Sequence, residues 1–146
     1  MDEELENRRK WFLQYITNLE LKSLLKECTV SEFNCPCCNY PTLPERGAYH
    51  ICPLCFWEDD GQDEPFHNEI WGGPNSDYSL TEARNNFSRF LTCYRPADKD
   101  KFALNTEKNS IKKMIMAKFD ELKTLNNNES CKQIKKEIKK LMDQLF

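Results

Sequence analysis

Apolar residues recur at helical spacing near the start of the chain. Residues 3–27 contain no proline or glycine, and their apolar positions follow the i, i+1, i+4, i+5, i+8 pattern of one helix face. That face is made by Trp11, Phe12, Tyr15, Ile16 and Leu19, and is extended by Leu24 and Leu25. The pattern predicts an amphipathic helix over residues 3–27 whose aromatic side chains belong to a core.

A second helix is predicted after a capping sequence. In Ser79-Leu-Thr-Glu82 the serine hydroxyl and the glutamate carboxylate can each satisfy a free amide of the first turn. The following apolar positions share one face and end before Pro96. They are Leu80, Ala83, Phe87, Phe90 and Leu91.

Two more helical patterns occupy the end of the chain. The first runs from about Thr106 to Leu125, with apolar positions Ile111, Ile115, Phe119, Leu122 and Leu125. Residues 126–128 are three asparagines and predict a turn. The last helix carries Ile134, Ile138, Leu141 and Leu145. We expect these two helices to form an antiparallel hairpin.

The segment between the first and second helices changes character at residues 58–78. It has seven acidic residues, no lysine or arginine, and turn-forming residues such as Gly61, Pro65 and 72–74. An irregular segment of about 20 residues is uncommon in a compact domain and is often functional. Its aromatic residues Phe66, Trp71 and Tyr78, with Trp57 before them, predict that it packs against the body of the protein.

Composition limits the class of protein. The chain has 146 residues, of which 39% are hydrophobic, 8 are cysteine and 4 are glycine. It is long enough for one domain, and its glycines are too few for a phosphate-binding loop. No apolar run approaches the roughly 18 residues that span a bilayer, and the acidic start of the chain does not resemble an export signal. We therefore expect a cytoplasmic protein, in a reducing compartment where clustered cysteines are more often metal ligands than disulfides.

Two short motifs hold most of the clustered cysteines. Cys35-Pro-Cys-Cys38 and Cys52-Pro-Leu-Cys55 each contain a Cys-x-x-Cys pair, and 13 residues (39–51) separate the pairs. Structural zinc takes four soft ligands in a tetrahedron. Two such turns, brought face to face by a β-hairpin, supply those ligands as Cys35, Cys38, Cys52 and Cys55. Residues 48–51 are the expected short strand, so the predicted fold class is α+β, a small zinc-ribbon-like β-hairpin module among about four helices.

Some features of the cysteine site stay open. Asn39 tolerates the left-handed conformation that commonly follows the second cysteine of such a turn, whereas Phe56 does not, so we expect a less regular second turn. Three roles stay open for Cys37. It replaces a ligand of the first pair, remains a free thiol, or takes part in redox chemistry. Iron in place of zinc and a dithiol redox role are alternatives to the zinc site. The isolated thiols are expected to be small buried hydrophobes: Cys28, Cys93 and Cys131.

Charge is unevenly divided. Residues 1–94 carry 8 basic and 16 acidic groups, a net charge of −8, whereas residues 95–146 carry 13 basic and 8 acidic groups, a net charge of +5, which together give −3. A zinc ion bound by four thiolates adds a charge of −2, so the net charge of the metal-bound chain is about −5. We expect backbone amides, Arg46 or His50 to stabilise the negative charge of the site. The basic tail can indicate nucleic-acid binding, but we interpret it as the solvated face of the last helix. Its lysines are Lys132, Lys135, Lys136, Lys139 and Lys140.

Four motifs resemble, in order, those of the cysteine-rich CPCC family, which comprises small, mostly bacterial proteins. They are Cys35-Pro-Cys-Cys-Asn-Tyr-Pro-Thr-Leu43, Ile51-Cys-Pro-Leu-Cys-Phe-Trp-Glu-Asp-Asp60, Gly73-Pro-Asn75 and Leu80-Thr-Glu-Ala-Arg-Asn-Asn-Phe87. Asn39 stands where the family usually has glycine. The resemblance covers about residues 33–96 and implies metal binding by the two cysteine pairs; some members are labelled hydrolases. We accordingly divide the chain into an N-terminal helix (1–32), a cysteine-rich module (33–96) and a helical hairpin (97–146).

Three functions follow from this pattern. The leading hypothesis is a zinc-binding protein, more a binding protein than an enzyme, whose acidic aromatic loop and flanking helices bind a protein partner. The rival is a hydrolase that uses acids of the loop, with Arg84 holding a carboxylate or phosphate. Its catalytic candidates are Glu58, Asp59, Asp60, His50 and His67. A weaker alternative is a nucleic-acid-binding zinc ribbon. Zinc closed by four thiolates has no open position for a substrate, so the metal itself is expected to be structural.

Overall fold

The computed structural model describes residues 3–21, 33–122, 125 and 128–146. Within them lie five α-helices and one turn of 3-10 helix at Gly73–Asn75. The helices are α1 (Glu3–Leu21), α2 (Leu80–Phe90), α3 (Lys99–Thr106), α4 (Asn109–Leu122) and α5 (Asn128–Asp143). None of these helices is long and apolar enough to cross a membrane.

The predicted α+β class is wrong. The part of the chain that the structure describes contains no strand and no sheet, so the zinc-ribbon-like β-hairpin is not formed. Only isolated bridges occur, such as Phe33 with Leu43 and Ile51 with Glu58. Residues 48–51 do not make a strand because Tyr49 has a φ of 63°, which interrupts the extended backbone. The fold is helical around a cluster of cysteines.

Helix α2 forms the serine half of its predicted capping box. The Ser79 hydroxyl accepts a hydrogen bond of 3.0 Å from the Glu82 amide, as predicted. The Glu82 carboxylate was expected to accept from the first turn but instead accepts hydrogen bonds from the side chains of Arg95 and Asn86. The helix closes at Leu91, whose φ of 61° is the left-handed conformation of a helix C-terminus.

The other helix bounds differ from the predicted ones. Of the first predicted helix, residues 3–21 are α1, and residues 22–27 lie outside the described residues. The third predicted helix, from about Thr106 to Leu125, corresponds to α4, which begins at Asn109 and ends at Leu122, and α3 ends just before it at Thr106. Helix α3 was not predicted, since its eight residues carry little apolar periodicity. Most of the predicted turn at 126–128 falls outside the described residues, and Asn128 starts α5.

Helices α4 and α5 pack against each other in antiparallel fashion. Lys118 of α4 pairs with Glu137 of α5 at 2.8 Å, and Lys108, before α4, donates to the carbonyl of Gln144, after α5, at 3.1 Å. Their facing apolar side chains are buried. They include Ile115, Phe119, Ile134 and Ile138.

The cysteine segment lies inside the core. One cluster of buried residues includes Phe12 of α1, the cysteines, Phe87 of α2 and Phe119 of α4. Tyr40, which follows the first cysteine turn, packs on Phe12 and Phe119 with ring centroids 5.5 and 5.3 Å away. Residues from all three predicted segments share this cluster, and their division into domains stays a prediction.

Candidate metal centre

Four cysteine sulfurs converge in the middle of the protein. The Sγ atoms of Cys35, Cys38, Cys52 and Cys55 all lie within 4.8 Å of one another, and all four residues are fully buried. The Cys35–Cys55 and Cys38–Cys52 sulfur pairs are each 3.6 Å apart. A tetrahedron with metal–sulfur bonds of about 2.3 Å has edges of about 3.8 Å. Two of the six sulfur–sulfur distances are close to that edge and all six are within 4.8 Å, so the spacing is compatible with a metal site.

The two turns repeat the same backbone hydrogen bonds. In the first turn, the Asn39 amide donates to the Cys35 carbonyl at 2.8 Å, and the Cys35 amide donates to the Tyr40 carbonyl at 2.9 Å. These bonds fix the direction in which the first pair of sulfurs points. The Cys37 amide also points at the Cys35 sulfur, at 3.4 Å.

The second turn has the equivalent bonds. The Phe56 amide donates to the Cys52 carbonyl at 2.9 Å, and the Cys52 amide donates to the Trp57 carbonyl at 3.0 Å. The Trp57 amide points at the Cys55 sulfur at 3.5 Å. Amides aimed at sulfur favour the thiolate form that a metal requires.

Both turns place a left-handed residue after their second cysteine. Asn39 has a φ of 63°, as predicted, and Phe56 has a φ of 69°. The expectation of a less regular second turn is wrong. A left-handed non-glycine residue costs about 1–2 kcal/mol. The ring of Phe56 packs against Phe146 with centroids 5.6 Å apart, and this packing helps to offset the cost.

The buried thiols differ in their protonation. Burial raises the pKa of Cys35, Cys38 and Cys55 well above the ordinary range of a thiol. Burial acts on Cys52 in the same direction, but hydrogen bonds from the other three thiols outweigh it and lower the pKa of Cys52 well below that range. The lowered pKa favours the thiolate form of Cys52, whose sulfur also contacts the Thr42 hydroxyl at 3.0 Å.

Lys112 of α4 is a buried cation beside this cluster. Its side chain is fully buried, and its Nζ donates hydrogen bonds of 2.6 Å to the Leu91 carbonyl and to Asn105 Oδ1. Burial lowers the pKa of Lys112 to about 8, and attraction to the thiolates of Cys55 and Cys52 opposes that change. Sequence reasoning missed Lys112. The sequence does contain an indication of its burial, because Lys112 lies three positions before Ile115 and therefore on the same, buried face of α4.

Arg46, a predicted counter-charge of the metal, pairs with carboxylates. Its Nε donates to Asp59 Oδ2 at 2.9 Å, and its Nη1 contacts Asp63 at 3.1 Å. Asp59 is fully buried and also accepts hydrogen bonds from the amides of Gly47 and Gly61, at 2.7 and 3.1 Å. Asp59 thus organises two turns next to the cysteine pairs.

Three arginines surround Asp63. Arg9, Arg46 and Arg84 contact its carboxylate at 3.0, 3.1 and 3.3 Å. Burial alone would raise the pKa of Asp63, but the amide of Glu64 and the guanidinium groups lower it below its ordinary value. Arg84 also pairs with Glu64, so its guanidinium contacts carboxylates of the protein's own acidic segment, and a role in holding a substrate stays a prediction.

The remaining catalytic candidates have local partners. His67 pairs with Glu64, the His50 carbonyl accepts from the Asp59 amide at 3.0 Å, and the backbone of Glu58 exchanges two hydrogen bonds with the Asn75 side chain. Asp60 accepts from the Gln62 amide at 3.1 Å. These contacts stabilise turns, and a catalytic role for these residues stays a prediction.

The acidic segment has a fixed shape with an apolar tip. The fully buried Gln62 donates from its side-chain amide to the carbonyls of Phe66 and Glu69, at 2.8 and 2.7 Å. The tip exposes 47% of Phe66, 61% of Ile70 and 45% of Trp71. We call these three residues the loop patch. The prediction that the aromatic residues pack against the body is correct for Trp57 and Tyr78, which are buried, and wrong for Phe66 and Trp71.

The other cysteines and the basic tail occupy the expected kinds of position. Cys37, Cys93 and Cys131 are buried, and Cys28 lies outside the described residues. Most lysines of the last helix are exposed on α5, as expected for a solvated face. The exposed ones are Lys132, Lys136, Lys139 and Lys140, and Lys135 is half-buried.

Comparison with known proteins gives one match. A family model described as cysteine-rich CPCC matches residues 33–108, just over half of the chain. No curated protein and no solved structure matches. The match contains both cysteine turns, the acidic segment, α2 and α3, so it extends beyond residue 96, where the sequence resemblance was expected to end.

Proposed function

The chain belongs to the cysteine-rich CPCC family, and from this premise we propose that its four clustered cysteines bind one structural Zn²⁺ whose site supports a protein-binding loop. The observation that carries the metal proposal is the sulfur geometry: four buried Sγ atoms within 4.8 Å of one another. Four thiolates are the ligand set of structural zinc, and bound zinc would cross-link the two turns and contribute to folding.

The surroundings of the sulfurs support a charged metal centre. A divalent ion with four thiolates carries a net charge of −2, which is costly to bury without compensation. Amides of Cys37 and Trp57 point at sulfur, and the buried ammonium of Lys112 attracts the thiolates. Each of these groups favours the ionised ligands.

Metal analysis of the purified protein tests the first half of the proposal. We expect one zinc per chain by plasma mass spectrometry, and a large drop in melting temperature after removal with a strong chelator. The Cys38→Ser variant should lose most of its metal. The Cys131→Ser variant should keep it, because Cys131 is buried but is not one of the four proposed ligands. A protein without stoichiometric metal, whose melting is unchanged by the chelator, would refute the site; stoichiometric iron would replace zinc as its metal.

The second half of the proposal concerns the loop patch. Phe66 and Trp71 lie side by side with ring centroids 6.2 Å apart, and the exposed Ile70 precedes Trp71. Acidic residues flank the patch, and residues 58–78 contain no lysine or arginine. Aromatic side chains on a preformed surface are frequent anchors of protein interfaces. The partner surface that fits is a shallow apolar pocket with a basic rim.

Site-directed photo-crosslinking in cells tests the loop. A photoreactive amino acid at position 70 should capture a discrete protein partner, and Trp71→Ala should abolish that capture. The same amino acid at position 114, where Met114 is 53% exposed on α4, is the matched control and should not capture it. Equal capture from both positions would refute the loop as the binding surface, and capture of nucleic acid would favour the nucleic-acid alternative.

A further inference from the structure

A cavity of about 320 Å³ lies between the second cysteine turn, α3 and the end of α5. Its apolar wall includes Phe56, Tyr94, Leu104 and Phe146. Leu104 and Phe146 are 69% and 72% exposed, so two large apolar side chains at this cavity face solvent. The volume is at the lower end of the range of small-molecule sites, which is about 300–1,000 Å³.

Positive charge lines the same cavity. Lys101, Lys108 and Lys112 contribute to its lining, and Glu107 is the one acidic side chain among the lining residues. The Lys101 ammonium lies 5.7 Å from the ring centroid of Tyr94, and Lys108 donates to the Gln144 carbonyl at 3.1 Å. Lys101 is exposed and Lys108 is half-buried, and the buried Lys112 adds a third positive charge to the lining.

We propose that this cavity binds a small amphipathic anion, a single carboxylate attached to an apolar chain or ring. The apolar part would cover Leu104 and the ring of Phe146, and the carboxylate would take hydrogen bonds from Lys101 and Lys108. Charge complementarity selects this class, because an excess of ammonium groups beside an apolar wall favours an anion over a neutral or cationic compound of the same shape. The cavity does not include the loop patch or the four sulfurs, although it adjoins the second cysteine turn through Phe56.

Binding is tested on the metal-loaded full chain with three probes of equal chain length. We expect decanoate to bind at one site, with chemical-shift changes in a ¹⁵N-¹H spectrum centred on Phe56, Tyr94 and Leu104. Decanol should bind at least about ten-fold more weakly, and decylammonium should not bind measurably. All titrations stay below the concentrations at which the probes form micelles.

Two variants separate the apolar and the charged parts of the site. Leu104→Asp places a carboxylate on the wall and should abolish decanoate binding; its control is Met114→Asp, a substitution of an exposed residue of α4 outside the cavity. Lys108→Glu should weaken decanoate at least about ten-fold and leave decanol unchanged; its control is Lys113→Glu. Circular dichroism of each variant confirms that the helices are kept.

Several results would overturn the proposal. They are the absence of decanoate binding to wild type, equal binding to Leu104→Asp and wild type, or decylammonium binding as tight as decanoate. Sedimentation provides a further test: a dimer of the wild type that Leu104→Asp dissociates would assign this face to a second copy of the chain instead of a small anion.

Discussion

The guanidinium of Arg84 donates a hydrogen bond of 2.8 Å from Nε to the carbonyl oxygen of Pro36, inside the first cysteine turn. Arg84 is 1% exposed, and its two terminal nitrogens contact Glu64 and Asp63. Arg84 of α2 therefore connects the acidic segment with the first cysteine turn, which contains Cys35. The stability of the segment and the position of the first sulfur pair are linked through Arg84.

Arg84→Lys should destabilise the protein. A lysine ammonium cannot hold the Pro36 carbonyl and two carboxylates at once, because it lacks the planar fork of a guanidinium. We expect the free energy of unfolding to fall by about 3 kcal/mol, as when a buried ion pair loses a partner. Urea denaturation of the metal-loaded protein measures it. Arg89→Lys, an exposed arginine of the same helix, should change the free energy by less than about 0.5 kcal/mol; equal stability of both variants would contradict the role of Arg84.

Asp59→Asn should also destabilise the protein. The carboxylate accepts from Arg46 and from two backbone amides in a fully buried position. A side-chain amide there removes one of the two carboxylates that Arg46 contacts, and its NH₂ group cannot accept from the backbone amides. We expect a loss of about 2–4 kcal/mol in the free energy of unfolding. Asp60→Asn, which changes a half-buried carboxylate next in sequence, is the control and should cost less than about 1 kcal/mol. Greater destabilisation by Asp60→Asn would refute the assignment.

Zinc binding should release about three protons at pH 7. The raised pKa values of Cys35, Cys38 and Cys55 keep these thiols protonated in the metal-free fold, whereas the lowered pKa of Cys52 leaves it ionised. The metal displaces the three remaining protons, so its apparent affinity should rise with pH. Calorimetric titrations in buffers of different ionisation enthalpy count the protons. Circular dichroism of the metal-free protein is the control for folding, and release of four protons from a folded chain would contradict the assignment of Cys52.

Lys112→Met should weaken zinc binding. The substitution keeps the length of the side chain and removes the buried positive charge that attracts the thiolates of Cys55 and Cys52. Changes to groups surrounding metal ligands typically cost 10–100-fold in affinity, and we expect about ten-fold or more. Competition with a chromophoric chelator measures the change. Lys113→Met removes an exposed charge one position away and should leave the affinity within about two-fold; equal effects of the two variants would show that Lys112 does not act on the site.

The features that the sequence predicted correctly are local. Two Cys-x-x-Cys turns, the left-handed Asn39 and the serine cap of α2 each depend on a few adjacent residues, and each is found in the structure. The convergence of the two turns was also expected, because a metal site needs four ligands. The hairpin between them was not formed, since Tyr49 and the bonds of Asp59 to Gly47 and Gly61 shape that region through contacts that a strand pattern does not encode.

The burial of two charged side chains was not predicted, for a common reason. Lys112 and Arg84 are charged side chains on the buried, mainly apolar faces of α4 and α2. A search for apolar periodicity counts only apolar positions, so it does not identify charged residues on the same face. Their burial depends on partners distant in sequence, such as the Leu91 and Pro36 carbonyls. The cavity beside Phe56 involves residues from 56 to 146 and has no sequence signal of its own.

The complete burial of the four sulfurs has a kinetic consequence. Water, chelators and competing ions reach these atoms only when the packing around them opens, because all four are fully buried in the same cluster as Phe12, Phe87 and Phe119. Release of a bound ion would then be as slow as the opening of the polypeptide itself, and its residence time would be set by the unfolding rate. An ion held in this way would exchange with the solution on the timescale of that opening, however tightly or weakly the thiolates bind it.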